Sequence, residues 1–202
     1  MKRDNMATFD EKQILEELNN ISELHRIAFA ASCCERMLPN YKKFVEVENW
    51  GDYDCFRNFL NQIWEHINGN YLTKEHIIIF MDKCFEIGPD EEDFESVYTS
   101  YAIDLGSAIY HTLKYCLTSD TKNLLAVANA AINTVDLFVQ EKYNMDPNDP
   151  NLEFEICNNE LMQTEIVKQI DDLKLLANNA NLDAMFVKLF RSKVEGESNI
   201  DL

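Results

Sequence analysis

Apolar side chains recur at three- and four-residue spacing along almost the whole chain, and the residues that interrupt helices fall between the periodic stretches. Four of the five glycines, Gly51, Gly69, Gly88 and Gly196, stand at expected helix boundaries. All four prolines (Pro39, Pro89, Pro147 and Pro150) fall in linkers or at a first helical turn, where the missing N–H costs nothing. A strand pattern competes only at Ile77 to Ile79, and its length and charged flanks favour a buried helical face. The expectation is an all-α, compact multi-helix bundle of about eight or nine helices. It forms a single domain over residues 1–202, with 1–8 and 197–202 as flexible or docked tails. A chain of 202 residues buries roughly two-thirds of its unfolded surface, and needs no metal or disulfide staple.

The punctuation predicts the individual helices. Thr8-Phe9-Asp10-Glu11 fits a capping box and starts the first. Ser22 is the expected cap of the second, which runs to about Met37 and is apolar nearly all round, the pattern of a central helix. Pro39 is expected to open a short third helix through Tyr41, Phe44 and Val45. Trp50-Gly51-Asp52 reads as staple, turn and N-cap for a helix carrying Phe56, Phe59, Leu60, Ile63, Trp64 and Ile67. The next covers Thr73 to Ile87 and stops at Gly88-Pro89. Thr118-Ser119-Asp120 is short enough to force the helices on either side of it into an antiparallel hairpin. Gly106, inside the first of that pair, calls for close approach to Ala126, Ala128 and Ala130 on the second. Asp149-Pro150 is expected to cap one long helix through Ile156 and Leu176, and a final helix carries Leu182, Met185, Phe186, Leu189 and Phe190.

Several chemistries leave no trace. None of the four histidines follows a Glu or Asp by three positions, so the carboxylate pattern of di-iron bundles is missing. H-E-x-x-H, zinc-spaced Cys/His clusters, Walker A, G-x-G-x-x-G and G-x-S-x-G are also missing. No cofactor and no metal is therefore expected, and the chain reads as a binding protein and not an enzyme. Six cysteines without any CxxC pair read as buried thiols. Apolar stretches such as Ile77 to Met81 are too short to cross a bilayer, and no basic-then-apolar leader opens the chain; a soluble, cytoplasmic protein is expected.

Two polar features interrupt apolar stretches. Glu35-Arg36 falls at the end of the central helix, and Asp104 lies within Tyr101-Ala102-Ile103-Asp104-Leu105. Buried charges of this kind have to be paired, so Glu35, Arg36 and Asp104 are expected to share one satisfied network. Ser100, Asp104, Ser107 and His111 also follow helical spacing, which fits a solvated stripe or structural ion pair. The rival reading is a ligand or acid/base site built from Glu35, Arg36 and Asp104 with His111 or His25.

The residues Cys34-Glu35-Arg36-Met37-Leu38-Pro39-Asn40-Tyr41, Ile63-Trp64-Glu65, Ala102-Ile103-Asp104 and Glu197-Ser198-Asn199-Ile200 resemble the bacterial YjaG-like proteins of unknown function. The order and rough spacing fit over nearly the whole chain. The resemblance implies a compact all-α fold and supplies no activity or catalytic residue. Asp201 stands where that family usually has a further glycine.

The charge is the compositional extreme: 36 acidic against 18 basic residues, a formal charge of -18. Such a field repels nucleic acid and anionic membrane and speeds encounter with a basic partner, although acidity also simply aids solubility. Its distribution is uneven. Lys83 to Lys114 encloses no other Lys or Arg but contains Asp90, Glu91, Glu92, Asp93 and Glu95; Lys142 to Lys168 likewise encloses Asp146, Asp149, Glu153 and Glu155. Helix N-termini account for Asp93, Glu95 and Asp149 but not for whole blocks. The nine carboxylates are the expected contact surface for a basic protein partner. By analogy with acidic immunity proteins, that partner is a nuclease toxin domain.

Overall fold

In the computed structural model, which describes residues 7–202, one helix organises the rest. This is α2 (Glu23–Glu48), and every side chain from Ile27 to Leu38 is buried. Before it comes α1 (Glu11–Asn19); after it come α3 (Tyr53–Ile67) and α4 (Lys74–Ile87). A single 3-10 turn (Glu91–Asp93) leads into α5 (Tyr98–Thr118) and α6 (Lys122–Lys142). The remaining helices are α7 (Leu152–Cys157), α8 (Glu160–Ala177) and α9 (Ala184–Ser192). Among the described residues there is no strand, and no helix is long and apolar enough to cross a membrane.

The expected hairpin is present: α5 and α6 flank Ser119, whose φ of 53° turns the chain in the left-handed region. α5 packs most extensively against α2 and α6, with α4 and α3 on its other sides. A main core fills the space between α2, α3, α5 and α6. A second apolar cluster around Tyr101, Val135, Ile156, Met162 and Ile200 joins the start of α5 and the end of α6 to α7, α8 and the C-terminal residues. The tail at 197–202 is docked through Asn199 and Ile200, and residues 1–6 of the expected N-terminal tail lie outside the described residues.

Several boundaries differ from the sequence expectation. Pro39 lies inside α2 and opens no new helix. The chain continues as helix because Leu38, Asn40, Tyr41 and Phe44 are all buried, and this packing outweighs the lost backbone bond. The cap of α1 is Asp10, whose carboxylate accepts from Lys12 N and Gln13 N at 2.9 and 3.3 Å; Thr8 stays outside because Gln163 holds Ala7 through its N–H and C=O. The long helix expected from Asp149 is two, α7 and α8, with Asn159 capping the second by accepting from Leu161 N.

Three burial expectations change as well. Ile77 is buried, but Ile78 and Ile79 are 51% and 59% exposed, so the apolar run is one buried position and not a face. A Cβ on Gly106 would meet the Phe56 ring of α3 at 3.5 Å, and no alanine of α6. Cys33, Cys34 and Cys84 are buried; Cys55 and Cys116 are partly so, and Cys157 is exposed.

Candidate functional site

Glu35 and Arg36 are neighbours on α2, so the helix turns them roughly 100° apart and each meets a different set of partners. Glu35 accepts both terminal nitrogens of Arg57 on α3 at 2.7 and 2.6 Å, and the Trp64 indole N–H at 2.8 Å. Arg191 on α9 adds a charge contact at 3.4 Å. Arg36 forks onto Glu165 of α8, with Nε–Oε2 at 3.0 Å and Nη2–Oε1 at 2.9 Å, and its Nη1 donates to Asp172 at 3.0 Å. Burial works against the Arg36 charge, but the surrounding carboxylates outweigh it and hold its pKa well above the ordinary value. Burial also raises the pKa of Asp172, with Arg36 opposing the rise. Three guanidinium groups thus face three carboxylates around one helix.

The C-terminal motif closes over the same helix. Asn199 N donates to the carbonyl of Arg36 at 3.0 Å, and its amide donates to Ala131 O at 3.1 Å. Asn40 Nδ2 donates to Asn199 Oδ1 at 2.8 Å, and Ser198 Oγ donates to Asn40 Oδ1 at 2.7 Å. The stretches Cys34 to Tyr41 and Glu197 to Ile200 are therefore two halves of one buried polar joint.

Asp104 belongs to neither set. It faces α6 and accepts from the Thr134 hydroxyl at 2.8 Å, and burial raises its pKa to about 6. The single network expected for Glu35, Arg36 and Asp104 is instead three separate sites, because α2 sends its two charges to different neighbours, α3 and α8, while Asp104 looks across the hairpin. Two of the histidines are engaged within the fold: His25 bonds Ser22 Oγ and the Asn179 carbonyl, and His111 Nδ1 bonds Asn123 Oδ1 at 2.9 Å. Among the described residues, no cluster of three His, Cys, Asp or Glu is arranged to hold a metal.

Concave surface lies elsewhere. A cleft of about 470 Å³ between α4 and α5 is walled by Phe85, Tyr110 and His111. A groove of about 1130 Å³ runs past Ala7, Ile132, Phe154, Met162 and Ile166. A third cleft, about 340 Å³, sits where α5 begins and α6 ends. None of the three is lined by Glu35, Arg36 or Asp104.

The acidic residues are disposed differently. Asp90, Glu91, Glu92, Asp93 and Glu95 lead into α5, while Asp146, Asp149, Glu153 and Glu155 follow α6. Because the two helices are antiparallel, both segments attach to the same end of the hairpin. All nine side chains are exposed, and among the described residues none lies within ion-pair distance of a Lys or Arg. Asp146 and Asp149 accept from Asn148 N and Asn151 N, which fixes turns and leaves their charge in solvent.

Sequence reasoning missed Arg57, Arg191, Glu165 and Asp172. A signal was present in α8, where Glu165, Gln169 and Asp172 repeat at helical spacing beside Met162, Ile166, Leu173 and Leu176. A polar row running that close to an apolar stripe points to an internal partner.

A helical bundle braced on one central helix by a buried ion cluster is an all-α protein of the multi-helix bundle class. Its sequence places it further: residues 13–202 match the family described as "Protein of unknown function (DUF416)", and the chain belongs to that family. It is 27% identical over 191 residues to uncharacterized protein YjaG of Escherichia coli (strain K12), covering 92% of this chain and 93% of the relative. An uncharacterized protein of Haemophilus influenzae is 26% identical over 197 residues, 94% and 96% of the two chains. The crystal structure of a DUF416 family protein from Shewanella baltica OS155 superposes with a TM-score of 0.84 at 25% identity, covering 93% of this chain and 97% of that one.

Proposed function

We propose that this chain is a non-catalytic binding protein whose acidic end docks a basic protein partner. In this role it is a cytoplasmic immunity protein that neutralises a basic nuclease toxin domain. The observation that carries it is the attachment of two acidic segments, distant in sequence, to one end of the α5–α6 hairpin. Carboxylates that have no cation partner among the described residues create a field at that end that steers a basic surface toward them, and they stand where phosphates would stand against a nuclease. The pairing of Glu35 with Arg57 and of Arg36 with Glu165 and Asp172 supports the same reading, because charges engaged with one another inside the bundle serve the fold. A cytoplasmic setting suits six cysteines that are all free thiols.

The test is to co-purify the protein with the product of its neighbouring gene and to follow association at low and high ionic strength. Association is expected to slow by about tenfold or more between low and high salt, with dissociation little changed. A salt-independent association rate, or capture of a small molecule with no protein, overturns the proposal.

A further inference from the structure

The cleft between the start of α5 and the end of α6 lies at the end of the hairpin to which both acidic segments attach, and it has the walls of a cation site. Tyr98 and Tyr101 come from α5, Phe138, Glu141 and Lys142 from α6, and Asp201 from the C-terminal tail. The Tyr98 ring stands edge-on to Tyr101 at 6.0 Å and 81°, and Tyr101 is tilted 59° to Phe138 at 6.4 Å. Rings at such angles present faces and edges from several sides, which is how aromatic side chains surround an ammonium group.

Among the described residues, one buried hydroxyl in this cleft lacks a hydrogen-bond partner, and one exposed carboxylate beside it lacks a cation. Tyr101 is 1% exposed, yet its hydroxyl has no hydrogen-bond partner among the described residues. Glu141 has no cation partner among them, although Lys142 is its chain neighbour. That lysine is occupied: its ammonium bonds Asp201 and lies 5.4 Å from the Phe138 centroid and 5.9 Å from that of Tyr143. The wall of the cleft thus already carries one ammonium against an aromatic face, while the hydroxyl and the second carboxylate are left over. A buried hydroxyl without a partner is unfavourable, and a donor arriving from outside relieves it.

We propose that this cleft receives one lysine side chain of the basic partner, its ammonium pairing with Glu141 and donating to Tyr101 Oη while its methylenes lie against Tyr98 and Phe138. A lysine suits the space better than an arginine. The compact ammonium can serve one carboxylate and one hydroxyl without the planar fork of a guanidinium. This assignment rests on the reading of the chain as a binder of a basic protein, and gives that surface a central anchor inside a ring of long-range charge.

The probe is the peptide acetyl-Gly-Lys-Gly-amide, titrated into the full chain while the ring resonances of Tyr98, Tyr101 and Phe138 are followed by NMR. Saturable shifts are expected, with a dissociation constant on the order of 1–10 mM. The same peptide with Nε-acetyl-lysine or norleucine is expected to leave these rings unmoved. Glu141→Gln is expected to weaken binding about tenfold, and Tyr101→Phe about threefold without loss of stability, since the hydroxyl it removes has no partner in the fold. No saturable shift, or equal shifts with the norleucine or acetylated peptide, overturns the assignment. Equal or tighter binding of the arginine peptide overturns the lysine preference. If the peptide fails while salt-sensitive association with the basic partner persists, the cleft assignment falls and the acidic-surface reading stands. If the peptide binds and no basic partner is captured, the opposite holds.

Discussion

The guanidinium of Arg36 is gripped through two nitrogens by Glu165, a residue 129 positions further along the chain, with both buried to within 1% of complete. Neither element could be placed without the other, because a lone charge of either sign at that depth is strongly unfavourable.

Arg36→Met is therefore expected to lower stability by about 3–5 kcal/mol, since Glu165 and Asp172 would be left buried and uncompensated. Arg36→Lys should recover little, because an ammonium cannot reproduce the fork that meets both carboxylates. Replacing the set together, as Arg36→Met with Glu165→Leu and Asp172→Leu, should return most of the loss. Urea denaturation midpoints of the three variants check this. A single Arg36→Met that unfolds like the parent would show that the pair contributes nothing.

Such pairings explain where the sequence was legible and where it was not. The α5–α6 hairpin, the cap at Asp52 and the stop at Gly88 are local events, decided by residues within a few positions of one another, and they could be read directly. Pro39 is misleading for the opposite reason: its local preference is overridden by Asn40 and Tyr41, which are anchored to Asn199 and to the Ile87 carbonyl far away in sequence. The partners of Glu35 and Arg36 lie on three other helices, and no spacing rule connects them. The nine acidic residues were visible as two blocks, but their attachment to one end follows only from the direction of α5 and α6.

Asp104 gives a pH signature. Burial raises its pKa to about 6, so in the fold it releases its proton less readily than in the unfolded chain. The stabilising contribution is then full below the ordinary carboxylate value and is lost as pH rises through about 6. Asp104→Asn removes the titration. The stability difference between variant and parent is expected to move in the variant's favour by up to about 3 kcal/mol between acid and neutral pH. A difference that stays flat across that range would show that Asp104 is solvated in the fold.

Gly51 and Gly69 separate backbone strain from crowding. Both have strongly positive φ, 99° and 97°, but a Cβ on Gly51 would lie 2.7 Å from the Tyr41 hydroxyl, while one on Gly69 meets nothing within 4 Å. Gly69→Ala should cost about 1–3 kcal/mol from conformation alone. Gly51→Ala should cost more, because Tyr41 cannot move without releasing Asp52 N and the Ile87 carbonyl that it bonds at 3.0 and 2.8 Å. Thermal or urea unfolding of the two variants ranks them; equal losses would show that the Tyr41 contact yields freely.

Glu91, Glu92 and Asp93 form the exposed 3-10 turn ahead of α5 and hold no cation among the described residues, so reversing all three to Lys removes field without removing a contact of the fold. Stability should stay within about 0.5 kcal/mol of the parent, as for other surface changes. Association with a basic partner at low salt should slow by roughly tenfold or more, while dissociation changes little, because the lost interaction acts over distance before contact. The matched control lies at the other end of the hairpin, where Thr121 meets Asn19 of α1. Lysine at Glu16, Glu17 and Glu23 changes the net charge by the same amount on that far side. If total charge governed encounter, both triple variants would slow association equally. If the shared end of α5 and α6 governs it, only the first will, and stopped-flow rates for the two variants decide between them.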